Sequence, residues 1–510
     1  MSVSSSRLVL AAVLLVAAES AVAVPRKVIV AHNWDLLAVG TEDVWRNRTK
    51  FAAVGVDGIL FPLDRMTPEG KPVRGRDVMT SGAFAESDFT ASAAQARECL
   101  GLDGLRESLV LFALIPRTRL AWTNDAAWAC ASRNVAVLAR VARAAGFRGL
   151  AIDHEDYTKQ RQFRYEPTAD PEYDATRGLA RRRGREFFGA LFGEFPDARI
   201  LAFWLLSELD GIVASPYAAA DVAGYGTLWI PFLDGMLDVL PPQAKIIDGN
   251  EDSGYKCDGF REKFRALAVA THFDAQELVS PENRPKYAGQ VSASFGQYFD
   301  SYIVSTNSRW YKGDLNGSRL NRLQRNLASA VDAADDLVWV YGEKGTLVDW
   351  DVKNDRRLKF PTWESNLPGL ARTIRLAAGD RVAMRKMVAD GTMTNLVEKM
   401  GARSIAGKGY AVARVHRELK SGEIVYARVR VKGAWPKASI GWKVGEKFDW
   451  GKGQGWLDSA ETDAKDWRLF EGRFVVPEGM DGLGLVMSAP LSSDENPVLF
   501  DDIGVFKVRE

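Results

Sequence analysis

The chain has 510 residues, with 67 Lys and Arg against 66 Asp and Glu, for a net charge of +1. Evenly spread basic residues in a near-neutral chain argue against a nucleic-acid partner, whose footprint would be a basic stripe. Three cysteines at irregular spacing are not a disulfide framework, and four histidines without a His-x-x-x-His or Cys-x-x-Cys pair give a zinc site little support.

At the N-terminus Arg7 precedes an apolar stretch, Leu8 to Ala18. Ala21-Val22-Ala23 then offers a small-x-small cleavage site before Val24 and Pro25. Residues 1–23 therefore read as a signal peptide, and the mature chain is expected outside the cytoplasm: extracellular, periplasmic or at the cell surface. The run is short for a bilayer, and no later segment approaches that length, so no integral membrane segment is expected after processing. There is no Gly-x-Gly-x-x-Gly opening a helix, no phosphate-cradling Gly-Lys-Ser/Thr loop and no Gly-x-Ser-x-Gly elbow.

Residues 24–350 alternate short apolar runs with longer amphipathic stretches, the signature of βα units and a parallel sheet. Candidate strands are Lys27–Ala31, Gly58–Phe61, Leu109–Ile115, Gly149–Ile152, Arg199–Trp204, Lys245–Ile247, Val291–Phe295 and Leu337–Tyr341. Helical spacing marks Arg133–Ala145, Arg177–Phe195 (stopping before Pro196) and Arg319–Ala334. Eight strands at this spacing predict an α/β fold, a (β/α)₈ TIM-type barrel, with a doubly wound open sheet as the alternative.

Barrels keep their chemistry at the carboxyl ends of the strands. The fourth candidate strand ends in Asp153, His154, Glu155, Asp156 and Tyr157, polar groups costly to desolvate without a purpose. Side chains alternate along a strand, so Asp153 and Glu155 are expected to face into the barrel, with Ile152 and His154 facing outward. Other strand ends bring Trp34 and Asp35, Arg65, Arg117 and Arg119, Glu251 and Tyr255, Tyr298, and Glu343. Crowded carboxylates beside aromatics suit glycosidic bond cleavage, which needs one protonated acid and a second carboxylate. Glu155 is the expected general acid, Asp153 its ionised neighbour and Glu251 the partner from another strand. Asp35, His154, Tyr157, Arg117, Tyr298, Glu343 and Trp34 are candidate substrate contacts. No cofactor is required for this chemistry. Arg65, Arg117 and Arg119 leave acidic sugars open as substrates, since Arg binds carboxylates bidentately.

The run Gly146-Phe-Arg-Gly-Leu-Ala-Ile-Asp-His-Glu155 resembles the fourth-strand signature of family 18 glycoside hydrolases, the chitinase-like group, which ends in Asp-x-Asp-x-Glu. It is also similar to the Ile-Asp-x-Glu strand of the hyaluronidases. The resemblance implies Glu155 as general acid and Asp153 as the residue orienting a substrate acetamido group. Ala151 replaces the first Asp of the chitinase pattern, and His154 stands where its usual Trp would be.

Residues 351–391 read as a connector with a helical stretch, Leu367 to Val388. From residue 392 to 510, alternating segments such as Ile424–Val431 and Phe474–Pro477, bounded by Gly, Pro and Asp, predict an antiparallel β-sandwich. Its end, Pro497 to Val508, resembles the last strand of jelly-roll carbohydrate-binding modules, which implies a structural Ca²⁺ with Asp502 as a candidate ligand. Trp435, Trp442, Trp450, Trp456 and Trp467 divide between core and sugar stacking. The expected partner is a carbohydrate. Two other classes stay open: a non-catalytic glycan-binding or cell-surface scaffold, and a metal-dependent carbohydrate deacetylase using Asp and His154 as ligands.

Overall fold

The computed structural model describes residues 27–155, 161–206, 228–258, 261–315, 318–378, 381–391, 393–397, 401–406, 409–415, 419–421, 423–449, 454–457 and 464–508. The expected signal peptide, Asp156 and Tyr157 lie outside the described residues.

A parallel sheet of nine strands organises the first part of the chain. Its order is Gly296–Tyr298, Leu337–Tyr341, Val28–Ala31, Gly58–Phe61, Leu109–Ala113, Gly149–Asp153, Arg199–Ala202, Lys245–Asp248 and Val291–Ala293. Both faces are buried, which is why the strands read as almost unbroken apolar runs. Val30, Leu60, Leu111, Ala151, Leu201, Ile247 and Trp339 form the inner cluster, and their neighbours Ile29, Ile59, Val110, Ile152, Ile200, Ile246 and Val338 pack outward with the helices.

The two outermost members of this order are consecutive in the chain, parted by Ser294 and Phe295. Ser294 N donates to Asp248 O at 2.8 Å and Gly296 N to Gly249 O at 2.9 Å, while Trp339 N donates to Phe295 O at 3.3 Å. Segment 291–298 thus bonds to the strand before it and to the strand after it, and the sheet curls into a barrel-like wall. The expected strand Val291–Phe295 stops at Ala293, a further strand Gly296–Tyr298 follows it, and Gly296 explains the local path. A Cβ there would lie 2.7 Å from Tyr255 Cε1 and 2.9 Å from Trp339 Cζ2. Only glycine lets the backbone pass so close to these two rings.

Helix Asp125–Ala145 starts where Asn124 accepts the Ala127 N–H at 3.1 Å and ends at Gly146, φ +97°. Helix Tyr173–Glu194 packs on it, and helix Trp229–Val239 on that. In the connector, the expected helical stretch Leu367 to Val388 holds two helices, Leu370–Ala377 and Arg381–Ala389, and a short helix, Trp363–Asn366, precedes it.

The C-terminal part is two antiparallel sheets face to face. One runs Arg403–Ile405, Val498–Val508, Ile424–Gly433, Ala464–Val475. The other runs Tyr410–Arg414, Gly482–Ser488, Lys437–Val444, Lys447–Phe448, with Gln454–Trp456 also on Lys437–Val444. Val425, Ala427 and Val429 meet Ile440, Trp442 and Leu485 between them. The outer face of the first sheet is covered too: Tyr426 and Phe506 cluster with Leu376, Met384 and Met387 of the connector helices. Buried Glu471 accepts from the Tyr426 hydroxyl at 2.5 Å and from Arg385 Nε at 3.0 Å. Gln324 Nε2 reaches Arg473 O at 3.0 Å, fastening the sandwich to helix Arg319–Ala333 of the barrel-like part.

Asp502, the expected calcium ligand, lies in an irregular part of its strand. It sits at φ +48° where the pairing of Ile424–Gly433 with Val498–Val508 slips register, a β-bulge. Its carboxylate accepts from Arg428 Nη2 at 2.7 Å. Among the described residues no group of three or more His, Cys, Asp or Glu is placed to hold a metal ion. Trp442 is buried, whereas Trp435 and Trp467 are exposed, Trp467 beneath the Arg430 guanidinium at 5.2 Å. The side chains of Trp450 and Trp456 lie outside the described residues. No helix among the described residues is long and apolar enough to cross a membrane.

Candidate active site

Alternation along the fourth strand sets the site. Ala151 belongs to the inner cluster and Ile152 to the outer one, so Asp153 closes the strand on the inner face, level with Ala113 of the strand before it. The Glu155 N–H donates to Asp153 Oδ1 at 3.2 Å, which holds the two acidic residues in one turn. Burial pushes the Asp153 carboxyl above the usual range, the charge of Arg76 and the Glu155 N–H pull against that, and Asp77 adds slightly to it.

His154 points away from the mouth. Its ring stacks on Trp229 at 4.2 Å and lies 4.1 Å from Trp204, with 4 % of the residue exposed and neither ring nitrogen partnered among the described residues. Burial lowers its pKa to about 3, so it is neutral. The expected substrate contact is instead part of the wall between strand and helix.

Across the mouth, the turn after the sixth of the eight expected strands is fixed from below. Asp248 accepts from the N–H groups of Leu205 at 3.0 Å, Leu206 at 3.1 Å and Asn250 at 3.2 Å. Asn250, at φ +42°, sends Nδ2 to Thr271 Oγ1 and Ser294 O, both at 3.0 Å. This places Glu251 at the start of a short helix whose Tyr255 turns back over the barrel.

Three tyrosines line that side. The ring centroids of Tyr255 and Tyr298 are 5.2 Å apart, and those of Tyr298 and Tyr341 5.8 Å, all near-parallel. Each phenol donates to a different carboxylate: Tyr255 to Glu251 at 3.1 Å, Tyr341 to Glu343 at 3.1 Å and Tyr298 to Asp300 at 3.2 Å. Buried Asp300 also accepts the N–H of Glu343 at 2.9 Å and of Lys344 at 3.3 Å, which fixes the loop carrying Glu343. Burial pushes the Tyr255 phenol well above its ordinary pKa, and the charges of Glu251 and, more weakly, Glu155 push the same way. Glu155 and Glu251 therefore act on one phenol from two strand ends.

The remaining expected contacts divide. Tyr298 and Glu343 belong to the tyrosine side just described. Trp34 is half-buried, with Arg356 at 4.9 Å and Arg357 at 6.0 Å over its ring. Asp35 is a correction: it is fully buried, and its carboxylate accepts from Asn33 Nδ2, Leu347 N and Trp350 Nε1, each at 2.8 Å. It ties the first strand to the loop after the last one, leaving nothing for a substrate. Arg117 is exposed on a bend beyond the third strand. Arg119 is spent on Asp170 through two bonds of 2.8 and 2.7 Å, and Arg65 lies 4.8 Å over Phe84.

Sequence reasoning gave no role to His32 and passed over Arg76 and Asp300. The His32 ring lies between Phe203 at 5.0 Å and Tyr341 at 5.4 Å. Its signal was there in the alternation, two residues beyond inner Val30. Arg76 sits in a long loop, where no periodicity announces a direction.

No protein-family profile and no curated protein matches the chain. Among solved structures, a glucosidase from Croceicoccus marinus aligns over 91% of this chain and 92% of its own, at 10% identity and a TM-score of 0.35. The CBM22-2 xylan-binding domain of Paenibacillus barcinonensis Xyn10C aligns over 23% of this chain and 98% of its own, at 12% identity and a TM-score of 0.16. A two-module fragment of Clostridium thermocellum endo-1,4-beta-D-xylanase 10B aligns over 24% of this chain, at 12% identity and a TM-score of 0.18. This chain spans a quarter (25%) of that xylanase fragment. All three scores lie below 0.5, so the functional reading rests on the site's own residues.

Proposed function

We propose that the chain is an exported glycoside hydrolase whose sheet closes as an eight-stranded (β/α)₈ barrel and whose C-terminal sandwich binds carbohydrate. Glu155 protonates the glycosidic oxygen as the bond to the anomeric carbon breaks. Glu251 supplies the second carboxylate, either attacking that carbon or taking a proton from the attacking water. Asp153, bonded to the Glu155 backbone, adds negative charge beside the cationic sugar that develops.

The observation that carries this reading is Tyr255. Its hydroxyl donates to Glu251, and its phenol lies within electrostatic reach of Glu155, which supports a pairing of acids from the fourth and sixth strand ends. Two carboxyls held around an aromatic wall are what glycosidic cleavage needs and what simple glycan binding does not. The test is product analysis of the purified chain on a panel of oligo- and polysaccharides, beside Glu155→Gln and Glu251→Gln. Cleavage of at least one glycan, lost in both variants, is expected. Binding without cleavage would favour the scaffold, and activity abolished by a chelator and restored by zinc would favour a deacetylase.

A further inference from the structure

The mouth has two sides of different character. Glu251, Glu343 and Asp300, each bonded to a tyrosine, follow the sixth to eighth strands. Over the second to fourth strands runs a loop that carries Arg76. Gly75 N donates to Leu63 O at 2.8 Å, and Ala113 N donates to Arg76 O at 2.9 Å. Ala113 is level with Asp153, so the backbone bonds set Arg76 beside the inner end of the fourth strand.

The Arg76 side chain is two-thirds buried, and its own neighbour Asp77 lies 3.5 Å from Nε. Nη1 is buried with no hydrogen-bond partner among the described residues. His32, inward-facing and 4 % exposed, likewise has an unpartnered buried Nδ1. The charge of Arg76 reaches both His32 and Asp153. Burial and that charge hold His32 neutral, with a pKa of about 3, so Nδ1 can carry the single imidazole proton and donate it in a hydrogen bond. A buried guanidinium N–H without an acceptor is costly, and the unpartnered buried Nδ1 of His32, within reach of the same charge, carries a deficit of the same kind. Both are relieved by one planar anionic group, the acceptor that matches a guanidinium fork.

We propose that the sugar bound over Asp153 carries a carboxylate, as in a uronic acid, held by the Arg76 guanidinium and His32 Nδ1. The assignment rests on the reading of this mouth as a sugar site and adds the class of sugar. The opposite side presents three carboxylates, whereas here the Arg76 guanidinium offsets Asp153 and Asp77, which favours the ring orientation that places the acid group on this side.

The test is calorimetric titration of the purified chain with trimers of galacturonic and glucuronic acid, and with the neutral trimers of galactose and glucose. An acidic trimer is expected to bind about ten-fold or more tighter than its neutral counterpart. Arg76→Gln should bring that ratio close to one, and Arg76→Lys, which keeps the charge without the fork, should leave it in between. Neutral trimers binding as tightly as acidic ones, or a preference unchanged in Arg76→Gln, would overturn the proposal. Product analysis of the same mixtures separates the two readings. Arg76-dependent acid binding with no cleavage keeps the carboxylate subsite and removes the hydrolase. Cleavage of neutral glycans alone keeps the hydrolase and removes the subsite.

Discussion

The Tyr255 hydroxyl donates to Glu251 Oε1 at 3.1 Å, on the phenol that the charge of Glu155 also reaches. A carboxylate on a short helix would otherwise sample several rotamers. The phenol holds one of them, and the stack with Tyr298 holds the phenol.

Removing that hydroxyl isolates its contribution. Tyr255→Phe keeps the ring and the stack, so the unfolding midpoint should stay close to wild type. Turnover on any cleaved glycan should fall about ten- to a hundred-fold, because Glu251 loses its orienting donor. Steady-state kinetics on the purified variant checks this, and an unchanged kcat would separate Glu251 from the chemistry.

Acid sensitivity of the fold follows from two buried histidines. His32 and His154 both have folded pKa values of about 3, against an ordinary 6.5, chiefly through burial. The unfolded chain therefore takes up protons first as pH falls. Stability from these sites is complete above about pH 6.5 and declines continuously toward about pH 3, by on the order of 4 kcal/mol for each. His154→Phe, which can still stack on Trp229, should flatten the fall in urea midpoint between pH 7 and pH 4. A variant as acid-sensitive as wild type would contradict the assignment.

Asp35 is expected to act on stability and not on substrate. Asp35→Ala strands buried donors on Asn33, Leu347 and Trp350, and should cost about 3 kcal/mol in urea unfolding. KM should be unaffected at temperatures where the variant is folded. A raised KM with unchanged stability would restore Asp35 to the site.

Between the two parts of the chain, Glu471 carries the buried charge. Glu471→Ala leaves Arg385 and the Tyr426 hydroxyl without their acceptor, and should destabilise the sandwich by about 3 to 5 kcal/mol. Glu471→Gln should lose less, since an amide oxygen still accepts from the phenol. Differential scanning calorimetry distinguishes these, and equal midpoints for all three proteins would remove the ion pair from the interface.

Much of the parallel sheet was legible because both faces of its strands are buried, and burial leaves continuous apolar runs. Gly58–Phe61 and Leu337–Tyr341 were read to the residue, and Gly149–Asp153 to within one. The split at Ser294 and Phe295 was not legible, because it answers to the rings of Tyr255 and Trp339 packed against Gly296. At the site, alternation located Asp153 beside its inner neighbours. Asp35 looked the same in sequence, a carboxylate after a strand, and only the long-range donors Leu347 and Trp350 reveal its structural use. The bulge that sets Asp502 against Arg428 was likewise not legible, since it depends on the register of a strand distant in sequence.

The central claim is that Glu155 transfers the proton in glycosidic cleavage, and rate measurement on Glu155→Gln tests it most directly. The purified wild-type chain should cleave at least one member of a glycan panel. The variant should turn that glycan over about a hundred-fold more slowly or worse, with an unchanged unfolding midpoint. A folded Glu155→Gln protein that cleaves at the wild-type rate would contradict the account.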